Sequence, residues 1–167
     1  AMVCEGTMFD WSSVYFEEVL APPKNLVRLG YIASMCSMAA MRFAADRLIT
    51  RLGFVNVLRI SGMLITAGLL TATLLPGIVS STAGFFLVGS GVASIVPITY
   101  SLAGRSGTML PGVAIAVVSS IGFLGFLLGP PVIGFIAHAL DLRWALGIMS
   151  VMGVFVTLLA SQVRLGE

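Results

Sequence analysis

The feature that most constrains this chain is a run of 45 consecutive residues, Ile60 to Gly104, without one Asp, Glu, Lys or Arg. A helix rises about 1.5 Å per residue, so about 20 mostly apolar residues cross the roughly 30 Å of hydrocarbon in a bilayer. The run is therefore about two spans long. Near its middle, Pro76-Gly77 and the Ser-Ser-Thr of residues 80–82 are typical of a chain reversal. The run predicts a transmembrane hairpin, because a buried helix of a globular protein keeps a polar face.

The composition of the whole chain favours a membrane protein. Hydrophobic residues make up 58% of the 167 residues and charged residues 10%, whereas soluble domains carry about 25% charged residues. The net charge is only +2, and no basic patch is interleaved with aromatic residues, so we expect no nucleic-acid partner. The two cysteines, Cys4 and Cys36, lie among apolar or small residues, which predicts that both are reduced and buried.

Six apolar segments predict an all-α membrane protein with six transmembrane helices in one bundle over residues 1–167. The predicted helices are residues 2–20, 27–49, 54–75, 82–103, 111–137 and 143–163. Pro22 and Pro23 end the first segment because proline lacks the N–H that a continuing helix needs. The chain opens with Ala1-Met2 directly inside apolar sequence, which is typical of a fragment or a trimmed chain.

The distribution of basic residues predicts the orientation. An even number of spans places both termini on one side, and that side carries more arginines than the other, so we expect it to be cytoplasmic. Its basic residues are Arg42, Arg47, Arg51, Arg59, Arg105 and Arg164, and those of the other side are Lys24, Arg28 and Arg143.

The acids of the first segment are the strongest candidates for transport chemistry. Intramembrane acids are costly and usually face a water-filled path, a proton relay or a partner. Glu5 and Asp10 lie about 140° apart around a helix, so they do not share one narrow path unless the helix breaks. Trp11 and Tyr15, four residues apart, present an aromatic face that suits a sugar-like or other amphipathic solute. The alternatives are that Glu5 lies near the water interface and that both aromatics belong to an interfacial belt.

Other segments add candidate cavity residues and helix breaks. Hydroxyl groups at Tyr31, Thr99 and Tyr100 are further candidates for a solute pathway. Pro97, Pro130 and Pro131 each remove a helical hydrogen bond, and the resulting kinks suit either a moving helix or static curvature. No metal-ligand cluster, phosphate-binding loop or Gly-x-Ser-x-Gly elbow occurs, so we expect no enzymatic activity, no metal and no cofactor.

Three stretches resemble the major facilitator superfamily. Residues 42–53 (RFAADRLITRLG) are similar to its cytoplasmic signature loop, although Arg42 and Ile49 stand where that pattern has glycine. Residues 5–12 (EGTMFDWS) and 129–134 (GPPVIG) resemble the fucose-permease-like bacterial branch. The resemblance covers nearly the whole chain and corresponds to helices seven to twelve of a twelve-helix transporter.

The resemblance implies a fold of two inverted three-helix repeats and a secondary active transporter of a bacterial inner membrane. The solute would be small and would cross by alternating access. Energy coupling by protons, for example as symport, is a separate prediction from Glu5 and Asp10. The partners would be a missing N-terminal six-helix half or a second copy, the lipid bilayer and the solute. The alternative is a non-transporting assembly or sensor module derived from a half-transporter.

The signature stretch also has a physical interpretation. A carboxylate at Asp46 can accept hydrogen bonds at the N-terminus of a neighbouring helix, where the helix dipole favours negative charge. Arg47 and Arg51 share one helix face and can pair with acids or lipid phosphates. These three residues therefore predict a conformational latch, and the alternative is a solvated loop that serves topology alone.

Overall fold

The computed structural model describes residues 1–105, 107 and 109–162, and within them it is all-helical, with no strand. The all-helical fold class is thereby confirmed. Five helices follow one another: α1 (Met2–Tyr15), α2 (Leu29–Leu74), α3 (Ile78–Gly104), α4 (Pro111–Ala139) and α5 (Leu142–Gln162). A π-helical turn, Phe16–Leu20, extends α1, and a 3-10 turn, Lys24–Leu26, precedes α2. Val163 and Arg164, which entered the predicted sixth helix and the orientation argument, lie outside the described residues.

Four helical stretches of the described chain are long and apolar enough to cross a membrane. They are Lys24–Leu74, α3, α4 and α5. The helix α1 has only 14 residues and carries two acids. The helix α2 has 46 residues, which at about 1.5 Å per residue amounts to roughly twice the hydrocarbon thickness. A helix of that length has to change direction to stay within one bilayer.

The first half of α2, residues 29–52, runs parallel to α3. Gly30 packs against the ring of Phe85, and Gly89 packs against the backbone of Ser34. Residue numbers increase together along both helices, so the two helices point the same way. A methyl group at Gly30 or Gly89 would collide with these neighbours. The two helices can therefore approach closely here only because both positions are glycine.

The second half of α2, residues 54–74, runs antiparallel to α3. Gly91 packs against the carbonyl oxygen of Ser61, and Gly68 and Gly84 pack against each other's carbonyl oxygens. Residue numbers rise along one helix as they fall along the other. The two halves of α2 therefore run in opposite directions to each other.

The reversal within α2 occurs at Gly53. Its backbone angles are φ 77° and ψ 160°, a combination that is essentially restricted to glycine. The guanidinium of Arg105, at the end of α3, lies 5.8 Å from the ring centroid of Phe54, directly after the reversal. The end of α3 and the middle of α2 are thus on the same side of the bundle.

The turn between α2 and α3 is shorter than the sequence predicted. Residues 80–82 were expected to form part of the turn, but α3 begins at Ile78 and they lie in its first turns. The Ser80 hydroxyl donates to the carbonyl oxygen of Gly77 at 3.1 Å. Because a serine hydroxyl can bond to a nearby backbone carbonyl, serine is tolerated in the first turn of a helix. The serines of residues 80–82 therefore did not indicate a loop.

The second half of α2 crosses α5 through a reciprocal contact of small residues. Gly62 faces Thr157 and Gly153, while Gly153 faces Thr66 and Gly62, so each helix offers a Gly-x-x-x-Thr pair to the other. The Thr66 hydroxyl donates to the carbonyl oxygen of Gly62 at 3.0 Å and to that of Ser150 at 3.2 Å. Close backbone approach of this kind drives helix association in membranes, where hydrophobic burial does not.

The core takes buried residues from all five helices, and its largest aromatic group lies where α1, α2 and α3 meet. Tyr15, Phe16 and Phe85 are fully buried, and the Tyr15 and Phe85 ring centroids are 5.6 Å apart in an edge-on arrangement. Both cysteines are free, but only Cys4 is buried; the prediction that Cys36 is buried was wrong, because it lies on the outward side of α2.

Candidate functional site

An open cavity of about 460 Å³ lies between α1 and α4 and is the candidate site. The side chains that line it belong to Asp10, Trp11, Val14, Phe126, Leu127, Pro130, Pro131 and Gly134. Four of these residues, Asp10, Trp11 and the two prolines, were predicted from separate parts of the sequence. The fold brings the acid, the indole and the two prolines to one place.

Among the described residues, the carboxylate of Asp10 is the only charged group that lines this cavity. Asp10 is exposed. The one ion pair within the described residues joins Glu5 and Arg42, so no basic side chain of this part of the chain neutralises Asp10. A positively charged group that enters the cavity would therefore meet a carboxylate that these residues leave without a counter-charge.

The indole of Trp11 is fixed across the cavity. Its Nε1 donates a hydrogen bond to the carbonyl oxygen of Pro130 at 3.0 Å. Its ring lies against Gly134, and a Cβ at that position would lie only 3.1 Å from the ring. The one polar group of the indole is therefore occupied, and what the ring offers to the cavity is an aromatic face.

The two prolines leave acceptors of α4 without helical donors. Pro130 and Pro131 have no N–H, so the carbonyl oxygens of Phe126 and Leu127, four residues earlier, lose their usual partners. The carbonyl of Phe126 is met by Gly6 of α1, since a Cβ at position 6 would lie 2.6 Å from that oxygen. Such a contact allows a weak Cα–H···O bond. The carbonyl that Pro130 leaves without a helical donor thus lies at the contact of α4 with α1.

The carboxylate of Glu5 faces away from this cavity and pairs with Arg42. Glu5 Oε1 lies 3.5 Å from Arg42 Nη2, and the side chains of Glu5 and Arg42 are 12% and 54% exposed. The sequence analysis placed Arg42 only in the charge count of the cytoplasmic side and missed it as a partner. The rule that an intramembrane acid seeks a partner would have suggested a basic residue on a neighbouring helix, without saying which one.

Tyr15 lies in the core and not in the cavity. Its hydroxyl donates to the carbonyl oxygen of Ala72 at 2.5 Å. That oxygen has no helical donor because the residue four positions later is Pro76. Ser81 also donates to it, at 3.4 Å, and Nε of Arg143 donates to the next carbonyl, that of Thr73, at 2.5 Å.

The end of α2 is therefore capped by side chains from three other helices. We call Tyr15, Ser81 and Arg143 the α2 cap. The sequence analysis missed this role for all three, although the proline four residues after a helical carbonyl is a usable signal for an acceptor that needs a donor. The positive charge of Arg143 also opposes the negative end of the helix dipole.

The remaining hydroxyl candidates lie outside the α1–α4 cavity. The ring of Tyr31 packs edge-on against Phe9 at 5.9 Å, and the Thr99 hydroxyl donates to the carbonyl oxygen of Ile95 at 2.7 Å. Tyr100 is half-buried in α3, and Pro97 is exposed within the same helix. The structure thus brings none of these four residues to Asp10.

The predicted latch residues are helical, and the chain does not form a loop there. Asp46, Arg47 and Arg51 are exposed residues of α2, which continues to the reversal at Gly53. Together with Thr50 they line a shallow cavity of about 260 Å³, and the Thr50 hydroxyl donates to the backbone carbonyl of Asp46 at 2.8 Å. The prediction of a loop at these residues was wrong, because the chain reverses at the single residue Gly53 and stays helical up to it.

Comparison with known proteins finds relatives that are membrane proteins or transporters by name. No protein-family model matches the chain. The membrane protein MosC of Rhizobium meliloti is 39% identical over 93% of the chain, and an uncharacterized transporter, y4wD, of Sinorhizobium fredii is 36% identical over 93%. An uncharacterized MFS-type transporter of Yersinia pestis is 31% identical over 90%. These similarities support membership of the major facilitator superfamily.

The superfamily relatives are longer than this chain. The matches cover 38%, 41% and 39% of the three proteins, so the chain spans about two fifths of their length. The transporter names together with the apolar helices support a multi-pass membrane protein. Two of the three relatives are named as transporters.

Proposed function

We propose that this chain forms one six-helix half of a secondary active transporter, which moves a small solute across a bacterial inner membrane by alternating access. The observation that carries the proposal is the α1–α4 cavity, in which an acid without a basic partner in the described chain lies beside two prolines of α4. Prolines in a membrane helix free backbone carbonyls, which is tolerated where the helix lines a cavity or is buried in protein. The transporter names of two relatives support the same activity.

The directions of the helices support six spans. Gly6 meets Phe126 and Trp11 meets Pro130, so α1 runs parallel to α4. The first half of α2 runs parallel to α3, its second half antiparallel to α3, and α5 is antiparallel to that second half. Six stretches that alternate in direction account for all of these contacts.

The same contacts support two inverted repeats of three helices. The first repeat would comprise α1 and the two halves of α2, and the second would comprise α3, α4 and α5. Exchanging the repeats turns the α1–α4 contact into the contact between α3 and the first half of α2. The third helices of the two repeats are the second half of α2 and α5. The exchange leaves their crossing unchanged, with Gly62 and Thr66 replaced by Gly153 and Thr157. Inverted repeats of this kind are common in transporters.

A second six-helix unit would complete the solute pathway, supplied by the N-terminal half or by a second copy. The helix α4 supports this because only three of its 29 residues are buried: Ala114, Gly129 and Ile133. A helix that is apolar all round is suited to burial against protein or lipid. The greater length of the relatives supports an N-terminal half as the partner.

Proton coupling is assigned to Asp10 in this proposal. Both Glu5 and Asp10 were candidates, but Glu5 already faces Arg42 at 3.5 Å. Asp10 faces the cavity, where a proton can reach it from water. The orientation is proposed from the arginines that lie near the Gly53 reversal, among them Arg47, Arg51 and Arg105, because cytoplasmic ends carry the excess of basic residues.

The test is solute uptake by the full-length protein that contains this chain, reconstituted in vesicles. A panel of sugars, organic acids and drugs is offered with and without a pH gradient. We expect one class to accumulate against its gradient, with loss of accumulation when a protonophore is added or when Asp10 is replaced by Asn. Failure of every class to move, in protein that is folded and correctly inserted, would instead favour a non-transporting assembly or sensor module.

A further inference from the structure

We propose that the solute of the α1–α4 cavity is an organic cation with an apolar or aromatic body. This inference rests on the proposed function and narrows its solute class. It follows from the charge, the hydrogen-bonding groups and the size of the cavity wall, which are considered in turn.

The charge of the wall is negative. Asp10 is its one ionisable side chain, and the other lining residues are apolar or aromatic. None of the described basic side chains pairs with Asp10, because the one ion pair among the described residues joins Arg42 to Glu5. A solute that carries a positive charge supplies the missing counter-charge, while an anion would be repelled in a medium that screens charge poorly.

The hydrogen-bonding groups of the wall are acceptors. The carboxylate of Asp10 accepts, and Pro131 leaves the carbonyl of the lining residue Leu127 without its helical donor. The one side-chain donor, Nε1 of Trp11, is already bonded to Pro130. An acceptor-only wall matches the N–H groups of an ammonium or guanidinium. A polyol needs donors as well as acceptors, so this wall does not match the sugar-like solute expected from the aromatic face.

The remaining surface suits a flat apolar body. The indole of Trp11, the ring of Phe126 and the rings of the two prolines line an open volume of about 460 Å³. Aromatic faces attract cations through their quadrupole, and the attraction grows when the cation is desolvated. The volume lies within the range of about 300–1,000 Å³ that is typical of small-molecule sites.

The experiment compares two ions of nearly the same shape and opposite charge, tetraphenylphosphonium and tetraphenylborate. Binding of each to the detergent-solubilised full-length protein is measured by equilibrium dialysis for the wild type and for Asp10→Asn. Partition of an ion into detergent is the same for both proteins, so the difference between them reports the site. The matched control is Glu17→Gln, which removes an equal charge from an exposed position of the π-helical turn, outside the cavity.

We expect Asp10→Asn to weaken tetraphenylphosphonium binding about tenfold or more, which corresponds to about 1.4 kcal/mol, and Glu17→Gln to leave it unchanged. Trp11→Leu should weaken it severalfold, as about 0.5–2 kcal/mol is typical of a cation–aromatic contact. Tetraphenylborate should show no loss with Asp10→Asn. The inference is overturned if Asp10→Asn and Glu17→Gln have the same effect, or if the anion depends on Asp10 as the cation does.

The two proposals fail in different ways. Accumulation of a neutral sugar without Asp10-dependent cation binding would leave the transporter in place and refute the solute class. Asp10-dependent cation binding without movement of any solute would leave the cation site in place and refute the transporter. A size-exclusion profile of each variant identical to that of the wild type establishes that a loss of binding is not a loss of fold.

Discussion

The hydroxyl of Tyr15 donates a hydrogen bond to the backbone carbonyl oxygen of Ala72, 57 residues further along the chain. The bond connects α1 to the end of α2 at an acceptor that Pro76 has left without a helical donor. A buried acceptor without a donor is costly, so the α2 cap is a stabilising feature at one end of the bundle.

Removal of this hydroxyl should destabilise the protein. Tyr15→Phe keeps the aromatic packing against Phe85 and removes only the donor, so we expect a loss of about 1–2 kcal/mol, read as a lower melting temperature in detergent. The control is Tyr31→Phe, because Tyr31 contacts Phe9 through its ring. Equal melting temperatures for the two variants would contradict the assigned bond.

The Glu5–Arg42 pair should be detectable by a double-mutant cycle. Glu5→Gln and Arg42→Gln are made singly and together, and we expect a coupling of about 0.5–1 kcal/mol. The value is modest because the Arg42 side chain is 54% exposed. The matching cycle with Glu17→Gln in place of Glu5→Gln should give no coupling, and coupling of the same size in both cycles would refute a specific pair.

The crossing of α2 and α5 should not tolerate an added methyl group. In Gly62→Ala the new Cβ would lie 2.5 Å from the carbonyl oxygen of Gly153, so the helices must separate, at an expected cost of about 1–3 kcal/mol. Gly112→Ala is the control, since nothing lies within 4 Å of a Cβ there. Resistance to unfolding by sodium dodecyl sulfate measures both, and the prediction fails if Gly62→Ala is the more stable variant.

The reversal at Gly53 should require glycine because of its backbone angles and not because a side chain would collide with a neighbour. A Cβ at this position meets nothing within 4 Å, but the φ of 77° is unfavourable for other residues. Gly53→Ala should therefore cost about 1–3 kcal/mol, whereas Gly104→Ala, at a helical position with its nearest neighbour 3.6 Å away, should be neutral or stabilising. Thermal unfolding of the two variants side by side checks this, and equal stability would remove the argument for strain.

The sequence predicted the helical class and four of the eight residues that line the cavity, because both follow from properties of single segments. An uncharged run of sufficient length predicts a span, and an acid, an indole and a pair of prolines are recognisable wherever they occur. Asp10, Trp11, Pro130 and Pro131 were named for separate reasons, and the fold places them together.

Features that depend on which helices touch could not be read from one chain. The spacing of Glu5 and Asp10 indicated that they face different directions, but it did not assign Arg42 to Glu5. Tyr15 was expected in a solute pathway because its neighbour Trp11 is aromatic, yet one turn further along α1 the helix faces the core. The prediction that Cys36 is buried was wrong for the same reason. Local composition does not show which side of a helix packs against other helices.

The one-residue reversal at Gly53 also limits where the chain can be lengthened. The two halves of α2 form an antiparallel helical hairpin with no linker between them. A reporter or epitope tag inserted next to Gly53 would force these two halves apart. Labels for following this protein in cells therefore belong elsewhere in the chain.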